Sequence, residues 1–439
     1  MKATRIITTV FIALASLAAN AQEGAWNGEL NVMGTKLPLV FNFSNEGCTM
    51  DSPSQGAKGI PAEKTIKDDG TIKVSIAMIG ATFEGKMEND EIIGTYTQNG
   101  FHIPLTLKPG KLVVKRPQTP VAPFPYKEEN ISFTNAGYTF NGTLTLPQNY
   151  SKQTPVVLMV TGSGQQNRDE EWFDHKPFAV IADALARQGI ASLRYDDRGW
   201  NDKNIDFGQF TTADFLQDAA SALPLLRKRF NKVGILGHSE GGTIAMMLAA
   251  EGKADFIVSL AGMAISGKET LVMQNRQAMS AINLPKDMVD SYCATISNIL
   301  NEIANGKKTS EITIDGVPDN LKPILKRSLE QANSPYIRHF ITIDAGKQLS
   351  KIKCPVLALN GTKDTQVDCA ANTTILETGL SNCKHTIKKI DGVNHLFQHC
   401  STGSIVEYQQ IEETIAPEVL ETITKWINDQ QRTINEAQE

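Results

Sequence analysis

The feature that most restricts the fold is a regular alternation of short apolar runs with helical patterns in the middle of the chain. The apolar runs are residues 155–160, 190–195, 233–236 and 256–260, and the helical patterns are residues 178–188, 212–230 and 242–250. A strand that is apolar at every position is buried on both faces, and strands alternating with helices form a mostly parallel sheet covered by helices. The sequence therefore predicts a doubly wound α/β domain, opened by an antiparallel hairpin over residues 131–146.

Three further segments differ from this alternation. Residues 22–110 have a period of two without a helical period, as at Ile72, Val74 and Ile76, which predicts a small all-β barrel or sandwich. Residues 111–127 carry four prolines and are typical of a stiff linker. The α/β domain then covers residues 128–439, and at about 264–347 its strands give way to helical patterns. Such an insert is typical of a helical cap, with a peripheral decoration as the alternative.

The N-terminus has the three parts of a secretory signal peptide at residues 1–21. Lys2 and Arg5 supply positive charge, and residues 6–17 form an apolar run too short to span a membrane. Ala19-Asn20-Ala21 is a cleavage pattern. We therefore expect an exported protein, periplasmic or extracellular; the alternative is a cytosolic protein with an apolar N-terminal helix.

Charge and composition exclude several classes of function. The chain has 43 Lys and Arg against 48 Asp and Glu, without a dense basic cluster, so neither nucleic-acid binding nor stable membrane insertion is expected. It contains no phosphate-binding loop, no C-x-x-C and no metal-ligand spacing, so no cofactor and no metal are expected. For the cysteines at 354, 369, 383 and 400, a disulfide and buried free thiols both stay open, as does the oligomeric state.

The strongest chemical signal is Gly237-His238-Ser239-Glu240-Gly241, which matches G-x-S-x-G. The pattern alone is weak, but here it follows a buried strand and opens a helix, as a nucleophile elbow requires. The flanking glycines let the backbone bend sharply enough to hold a serine in a strained conformation. Ser239 is therefore the predicted nucleophile, and a glycine-rich turn without chemistry is the alternative.

A serine nucleophile needs a base, and the base needs a carboxylate to hold its tautomer. Asp364 follows the predicted strand 356–360, and His395 follows the predicted strand 385–390, so both lie at strand ends in the order serine, acid, histidine. We predict Asp364 and His395 as the other catalytic residues, with Asp368 and His399 as weaker candidates. His238 adjoins the serine but points elsewhere on an elbow, which favours a structural role.

The tetrahedral intermediate needs two hydrogen-bond donors. The backbone N–H of Glu240 is one candidate, since it follows the nucleophile, and the backbone N–H of Ser163 is the other, with Gly164 as its alternative. The Glu240 side chain is expected to be solvated or salt-bridged. In the insert, Leu271, Val272, Met273 and Met279 are expected to line an acyl pocket.

Residues 128–439 resemble the α/β-hydrolase superfamily, and within it the bacterial serine carboxylesterases that carry a small N-terminal β domain. The matching segments are residues 161–170 (TGSGQQNRDE), 194–199 (RYDDRG), 237–242 (GHSEGG) and 360–364 (NGTKD). The resemblance implies an α/β-hydrolase fold with a helical cap after the sixth strand. It also implies hydrolysis of small-molecule carboxylic esters, with short to medium acyl chains, through an acyl-serine. An ion-pair network is expected to support the site; its members are Arg168, Asp169, Asp196, Asp197 and Arg198.

Two other functions stay open. A serine peptidase of the prolyl-oligopeptidase kind also pairs a β domain with this fold, but about eighty residues are too few for a β-propeller with roughly 40 residues per blade. A catalytically degenerate binding protein is the other alternative, and the presence of Ser239, Asp364 and His395 argues against it.

Overall fold

The chain divides into two compact units. A computed structural model describes residues 23–32, 35–44, 47–53, 57–111, 114–281, 284–314 and 322–436. The first unit comprises Met1–Lys115 with Ile405–Gln410, and the second comprises Arg116–Ser404 with Ile411–Glu439. The predicted signal peptide of residues 1–21 lies outside the described residues. Across the described parts of the chain, no helix combines the length and apolar character that a membrane crossing needs.

The first unit contains a closed antiparallel barrel. Its strands are β1 (Gly24–Val32), β2 (Thr35–Phe43), β3 (Cys48–Ser52), β4 (Ala57–Ile66), β5 (Ile72–Ile76), β6 (Ala81–Glu88), β7 (Glu91–Gln98) and β8 (Phe101–Pro109). Each strand pairs with the next, and β1 pairs back with β8 through Trp26↔Pro109. A Cβ on Gly28 would lie 2.4 Å from the Thr106 carbonyl oxygen, so β1 and β8 can approach this closely at Gly28 because it carries no side chain.

Every second side chain of the barrel strand β5 points into the barrel interior, as the period of two in the sequence predicted. Ile72, Val74 and Ile76 on β5 are all fully buried, whereas the residues between them are partly exposed. The turn between β6 and β7 uses Asn89 and Asp90, both with positive φ (49° and 65°). Two consecutive left-handed residues make the hairpin turn whose twist matches the strands. Of the barrel and the sandwich, the structure is therefore the barrel.

The second unit is built on a mixed sheet. Its strands are β9 (Lys127–Asn135), β10 (Tyr138–Leu146), β11 (Val156–Val160), β12 (Ala191–Tyr195), β13 (Val233–His238), β14 (Phe256–Leu260), β15 (Val356–Gly361) and β16 (His385–Ile390). Their order across the sheet is β16-β15-β14-β13-β11-β12-β10-β9. β9–β10 and β10–β12 pair antiparallel, and every other described pair is parallel. This confirms the predicted α/β fold and its opening hairpin.

Helices cover both faces of this sheet. They are α1 (Pro177–Arg187), α2 (Thr212–Arg227), α3 (Glu240–Ala250), α4 (Gly267–Ala281), α5 (Lys286–Ala304), α6 (Lys322–Gln331), α7 (Pro335–Phe340), α8 (Cys369–Gly379) and α9 (Pro417–Glu436). On β11, Leu158 and Val160 join one hydrophobic core, and Val157 and Met159 join the core on the opposite face. Because both faces are covered, the strand is apolar at every position.

The predicted helical insert is present between β14 and β15. Helices α4 to α7 form it, and a core of their own holds them together, with Tyr292 and Leu325 fully buried in it. The carboxyl ends of β11, β13, β15 and β16 meet at one edge of the sheet, because these strands run parallel. Loops leaving that edge carry the predicted site residues.

Candidate active site

Ser239 sits at a sharp turn between β13 and α3. Its backbone has φ 55° and ψ −120°, a conformation that costs energy for any residue with a side chain. A Cβ on Gly237 would lie 1.9 Å from the Gly241 carbonyl oxygen, and one on Gly241 would lie 2.0 Å from the Val160 carbonyl oxygen. Only glycine fits at both positions, so the motif is needed to bend the chain this tightly.

Asp364 and His395 come together at the ends of β15 and β16. The Nδ1–H of His395 donates to Asp364 Oδ2 at 2.7 Å, and both side chains are buried. The other carboxylate oxygen accepts the backbone N–H groups of Gln366 (2.8 Å) and Val367 (2.9 Å), which fixes the carboxylate in place. With its proton held on Nδ1, a neutral His395 carries a lone pair on Nε2, as a general base requires.

Ser239 and His395 line the same cavity, which measures about 290 Å³. No hydrogen bond joins the Ser239 hydroxyl to His395 within the described residues. Bonds of this kind are often long in ligand-free enzymes and shorten when substrate is bound. The two side chains nevertheless face one space large enough for a small substrate.

The side chains of Asp368 and His399, the weaker candidates for the acid and the base, make hydrogen bonds away from Ser239. Asp368 accepts the Ala371 N–H at 2.8 Å and thereby caps α8. His399 lies between Glu413 (2.9 Å) and Glu418 (3.0 Å) and is about half exposed. Asp364 is therefore the carboxylate that the structure brings to His395.

Ser163 and Glu240 each offer a backbone N–H beside Ser239. Within the described residues, neither N–H donates to a protein acceptor. The neighbouring Gly162 N–H already donates to Glu170 Oε1 at 2.7 Å. Ser163 also lines the cavity together with Ser239, as the predicted oxyanion donor must.

The carboxyl groups of Glu170 and Asp197 hold the loop of residues 161–166 that carries Ser163. Asp197 accepts the Gln166 N–H at 2.7 Å and the Thr161 hydroxyl at 2.9 Å. Loss of water around it raises the pKa of Asp197 well above the usual range. The expected ion-pair network is therefore wrong for Asp197, because no cation among the described residues pairs with it.

The other members of that expected network form separate ion pairs at the same sheet edge. Arg168 pairs with Asp196 at 2.5 Å, and Asp169 pairs with Arg194 rather than with either of them. Arg198 donates twice to Asp218, through Nε at 2.7 Å and Nη2 at 2.8 Å. None of these pairs lines the cavity, so they support the loops rather than contact a substrate.

His238 is buried and joins three parts of the site. Its Nδ1 lies 3.0 Å from Glu170 Oε1 and its Nε2 lies 2.9 Å from the His395 carbonyl oxygen. A carboxylate and a carbonyl oxygen can only accept, so these two contacts favour a ring that donates from both nitrogens, which is the imidazolium form. Burial lowers the pKa of His238, but Glu170 and the His395 carbonyl raise it, and the net pKa is above the usual value.

The Glu240 side chain corrects another expectation, because it is neither solvated nor paired with a cation from the described part of the chain. It is 1% exposed. The Thr212 hydroxyl donates to its Oε1, and the Tyr336 hydroxyl donates to its Oε2 at 2.6 Å. Tyr336 comes from α7 of the insert, and no local sequence pattern indicated it.

The insert contributes to the cavity, although through other residues than expected. Of the four predicted lining residues, only Leu271 lines the cavity. Val272 and Met279 pack in the core of the insert, and Met273 is not a lining residue. The remaining lining from the insert consists of Gln274 on α4 with Tyr336, Ile337 and Phe340 on α7. The insert thus borders the site as a cap.

The described residues contain no cluster of His, Cys, Asp or Glu that could hold a metal ion. None of the six cysteines, all of which lie in the described ranges, forms a disulfide.

Comparison with known proteins gives matches in sequence and in structure. A family model described as serine aminopeptidase, S33, matches residues 175–297. Esterase EstD of Thermotoga maritima is 26% identical over 304 residues, which are 67% of this chain and 68% of that protein. Est1E from Butyrivibrio proteoclasticus is 17% identical, with a TM-score of 0.42 over 69% of this chain and 98% of that one. Proline iminopeptidase of Mycobacterium smegmatis is 13% identical, with a TM-score of 0.43 over 70% and 100%.

The strand order, the elbow after the fifth strand of the sheet and the family match give the chain the fold of the α/β-hydrolase superfamily. This confirms the resemblance seen in the sequence. Among the members of that superfamily, it is similar to esterases.

Proposed function

We propose that the protein is an exported serine carboxylesterase that cleaves small carboxylic esters through an acyl-serine intermediate. One observation carries this proposal. Ser239, in a strained turn, shares a cavity with His395, whose tautomer Asp364 sets, and with the backbone N–H of Ser163. Acyl transfer needs a nucleophile, an oriented base and oxyanion donors in one place.

The proposed reaction has two halves. Ser239 Oγ attacks the ester carbonyl carbon while His395 Nε2 takes the hydroxyl proton, and the resulting oxyanion accepts the N–H groups of Ser163 and Glu240. As the C–O bond to the alcohol breaks, His395 returns that proton to the leaving oxygen. Water then attacks the acyl-serine with His395 again as base, which releases the acid and restores Ser239.

The lining and the volume of the cavity favour esters with short to medium acyl chains. Met263, Leu271, Phe340 and Leu396 supply an apolar surface, and the space measures about 290 Å³. Burial of acyl methylenes against such walls contributes about 0.8 kcal/mol each. A long chain exceeds this space, so the preference should fall off with increasing acyl length.

The family description also makes aminopeptidase activity a second candidate. An aminopeptidase needs a carboxylate to bind the substrate's free ammonium group. The only acidic residue among the described lining residues is Glu170, and its Oε1 already accepts from Gly162 and His238. The site therefore favours an uncharged ester over a peptide with a free N-terminus.

A substrate panel tests the proposal. The wild type and Ser239→Ala are assayed on p-nitrophenyl esters from acetate to dodecanoate and on aminoacyl p-nitroanilides. We expect hydrolysis of the short esters only, and its loss in Ser239→Ala. Hydrolysis of anilides alone would select the peptidase, and no turnover of either class would favour a binding protein. Undiminished ester hydrolysis by Ser239→Ala would refute the nucleophile.

Export is part of the same proposal and rests on the signal-peptide pattern of residues 1–21. The first barrel strand begins at Gly24, so cleavage after Ala21 leaves it whole. N-terminal sequencing of the protein from the secreting cell should start at Gln22. A chain that keeps Met1 and stays in the cytosol would contradict export.

A further inference from the structure

Tyr336 touches both residues that are proposed to donate to the oxyanion. Its hydroxyl oxygen lies 2.6 Å from Glu240 Oε2 and 2.9 Å from Ser163 Oγ. Ser163 lies in the loop after β11 and Glu240 begins α3 after β13, whereas Tyr336 belongs to α7 of the cap. One side chain from the cap therefore connects the two halves of the oxyanion hole.

The direction of the two hydrogen bonds follows from counting protons. A phenol has one proton, and a carboxylate can only accept, so the Tyr336 hydroxyl donates to Glu240. Its oxygen then accepts the Ser163 hydroxyl proton. Burial and the neighbouring Glu240 carboxylate raise the pKa of Tyr336 far above its usual range, so the phenol keeps its proton at any working pH.

Of the two donors, Ser163 depends more on this connection. Glu240 is the first residue of α3, and its side chain is also held by the Thr212 hydroxyl. On one side of Ser163 the Gly162 N–H is held by Glu170, but on the other side Gly164 has φ +93° and no side chain, so this neighbour restrains Ser163 little. The Ser163 N–H has no protein acceptor among the described residues, so the anchor of Ser163 is its hydroxyl bond to Tyr336, together with a longer bond of 3.3 Å from the Gln166 side chain to the Ser163 carbonyl oxygen.

We propose that Tyr336 is a positioning residue, which aligns the Ser163 and Glu240 N–H groups so that seating of the cap helix α7 completes the oxyanion hole. This rests on the proposed esterase function. Ile337 and Phe340 on the same helix line the cavity, so the seating of α7 also depends on what fills the acyl pocket. Tyr336 thereby links recognition of the acyl group to the rate of the chemical step.

The test removes the hydroxyl and keeps the ring. The Tyr336 ring packs on Phe215 (6.3 Å between centroids) and on Phe340 (5.8 Å), and Tyr336→Phe preserves both contacts. With p-nitrophenyl butyrate we expect kcat to fall about 10- to 100-fold and KM to change less than about twofold, because a misaligned donor loses part of what a deleted donor loses. Affinity for a trifluoromethyl ketone, whose serine adduct places an oxyanion in the hole, should fall by the same factor.

Two further variants separate positioning from mere packing. Tyr292→Phe removes another buried tyrosine hydroxyl from the cap, one that donates to Asn275 and does not line the cavity, and it should keep wild-type kcat. Ser163→Ala keeps the backbone N–H but loses the anchor. Ser163→Ala and Tyr336→Phe break the same hydrogen bond, so their effects on kcat should overlap. The kcat of the double variant should therefore fall by less than the product of the two single-variant factors.

Several outcomes would overturn the proposal. The first is a Tyr336→Phe variant that keeps the wild-type kcat and the wild-type affinity for the ketone. The second is a double variant in which the two losses of kcat multiply. The third is a Tyr292→Phe variant that loses as much kcat as Tyr336→Phe. If Tyr336→Phe does not fold, unchanged kcat in Ser163→Ala overturns it instead. Failure of the esterase proposal looks different: either the wild type would not hydrolyse p-nitrophenyl butyrate, or Ser239→Ala would retain activity. Failure of the Tyr336 role leaves the wild type active and Ser239→Ala inactive.

Discussion

At the scale of single residues, the proposed mechanism makes the activation of Ser239 depend on the pair of Asp364 and His395. Asp364→Asn should lower kcat by about 10³- to 10⁴-fold, because an amide N–H facing Nδ1 moves the imidazole proton to Nε2 and removes the basic lone pair. The matched control is Asp368→Asn, four residues further on, which touches only the helix cap of α8. Steady-state kinetics on p-nitrophenyl butyrate make the comparison, and loss of kcat in Asp368→Asn alone would move the acid to Asp368.

The ion pair of His238 with Glu170 makes stability depend on pH. Because the folded pKa of His238 lies above its unfolded value, the pair's contribution is complete below the unfolded pKa of about 6.5 and disappears as pH rises through the folded pKa. Glu170→Gln should therefore lower the melting temperature more at pH 6 than at pH 9. Thermal unfolding followed by circular dichroism at both pH values measures this, and a larger loss at pH 9 would contradict an imidazolium.

Sequence alone could predict those site residues whose signal is local. Ser239 is marked by its glycines, and Asp364 and His395 by their positions just after strands, so the structure brings them to one edge of the sheet. Glu170 and Tyr336 carry no such mark. Their partners lie 68 and 96 residues away, and only the folded sheet and cap bring them together.

At the scale of elements, the helical pattern of the cap sequence predicts helices but not their orientation. The helical pattern predicted the insert, and its helices are present, but the pattern did not say which face of α4 meets the cavity. Consecutive residues of a helix point about 100° apart, so Leu271, Val272 and Met273 cannot share one surface. Leu271 faces the cavity, and Val272 belongs to the core of the cap.

Because Leu271 faces the cavity and Met273 does not, substitutions at the two positions should affect substrate preference differently. Leu271→Trp adds bulk to the wall of a cavity of about 290 Å³ and should lower kcat/KM for hexanoate and octanoate esters about 10-fold relative to acetate. Met273→Trp, two residues away on the same helix but outside the lining, should leave the acyl-length profile unchanged. The ratio of kcat/KM across p-nitrophenyl esters is the measurement. A flat profile in Leu271→Trp would place the acyl chain elsewhere.

At the scale of the whole molecule, the chain contains separate hydrophobic cores. The barrel core draws its buried residues from Trp26 to Leu107, and the cores on the two faces of the sheet begin at Phe140 and Val157. The predicted catalytic residues all belong to the second unit. Stability of the barrel and chemistry at Ser239 should therefore respond to different substitutions.

Phe83→Ala tests this separation. Phe83 is fully buried in the barrel, 5.7 Å from the ring of Phe41, and its truncation should destabilise the barrel by about 3–5 kcal/mol. Because no catalytic group packs on that core, kcat for p-nitrophenyl butyrate at 25 °C should stay at the wild-type value. Phe256→Ala is the counterpart in the sheet, since Phe256 is equally buried on β14 beside the elbow strand β13, and it should lower both stability and kcat. Calorimetry measures the stability of each variant, and kinetics on the same samples measure kcat. If Phe83→Ala lowered kcat as well as stability, the active site would depend on an intact barrel.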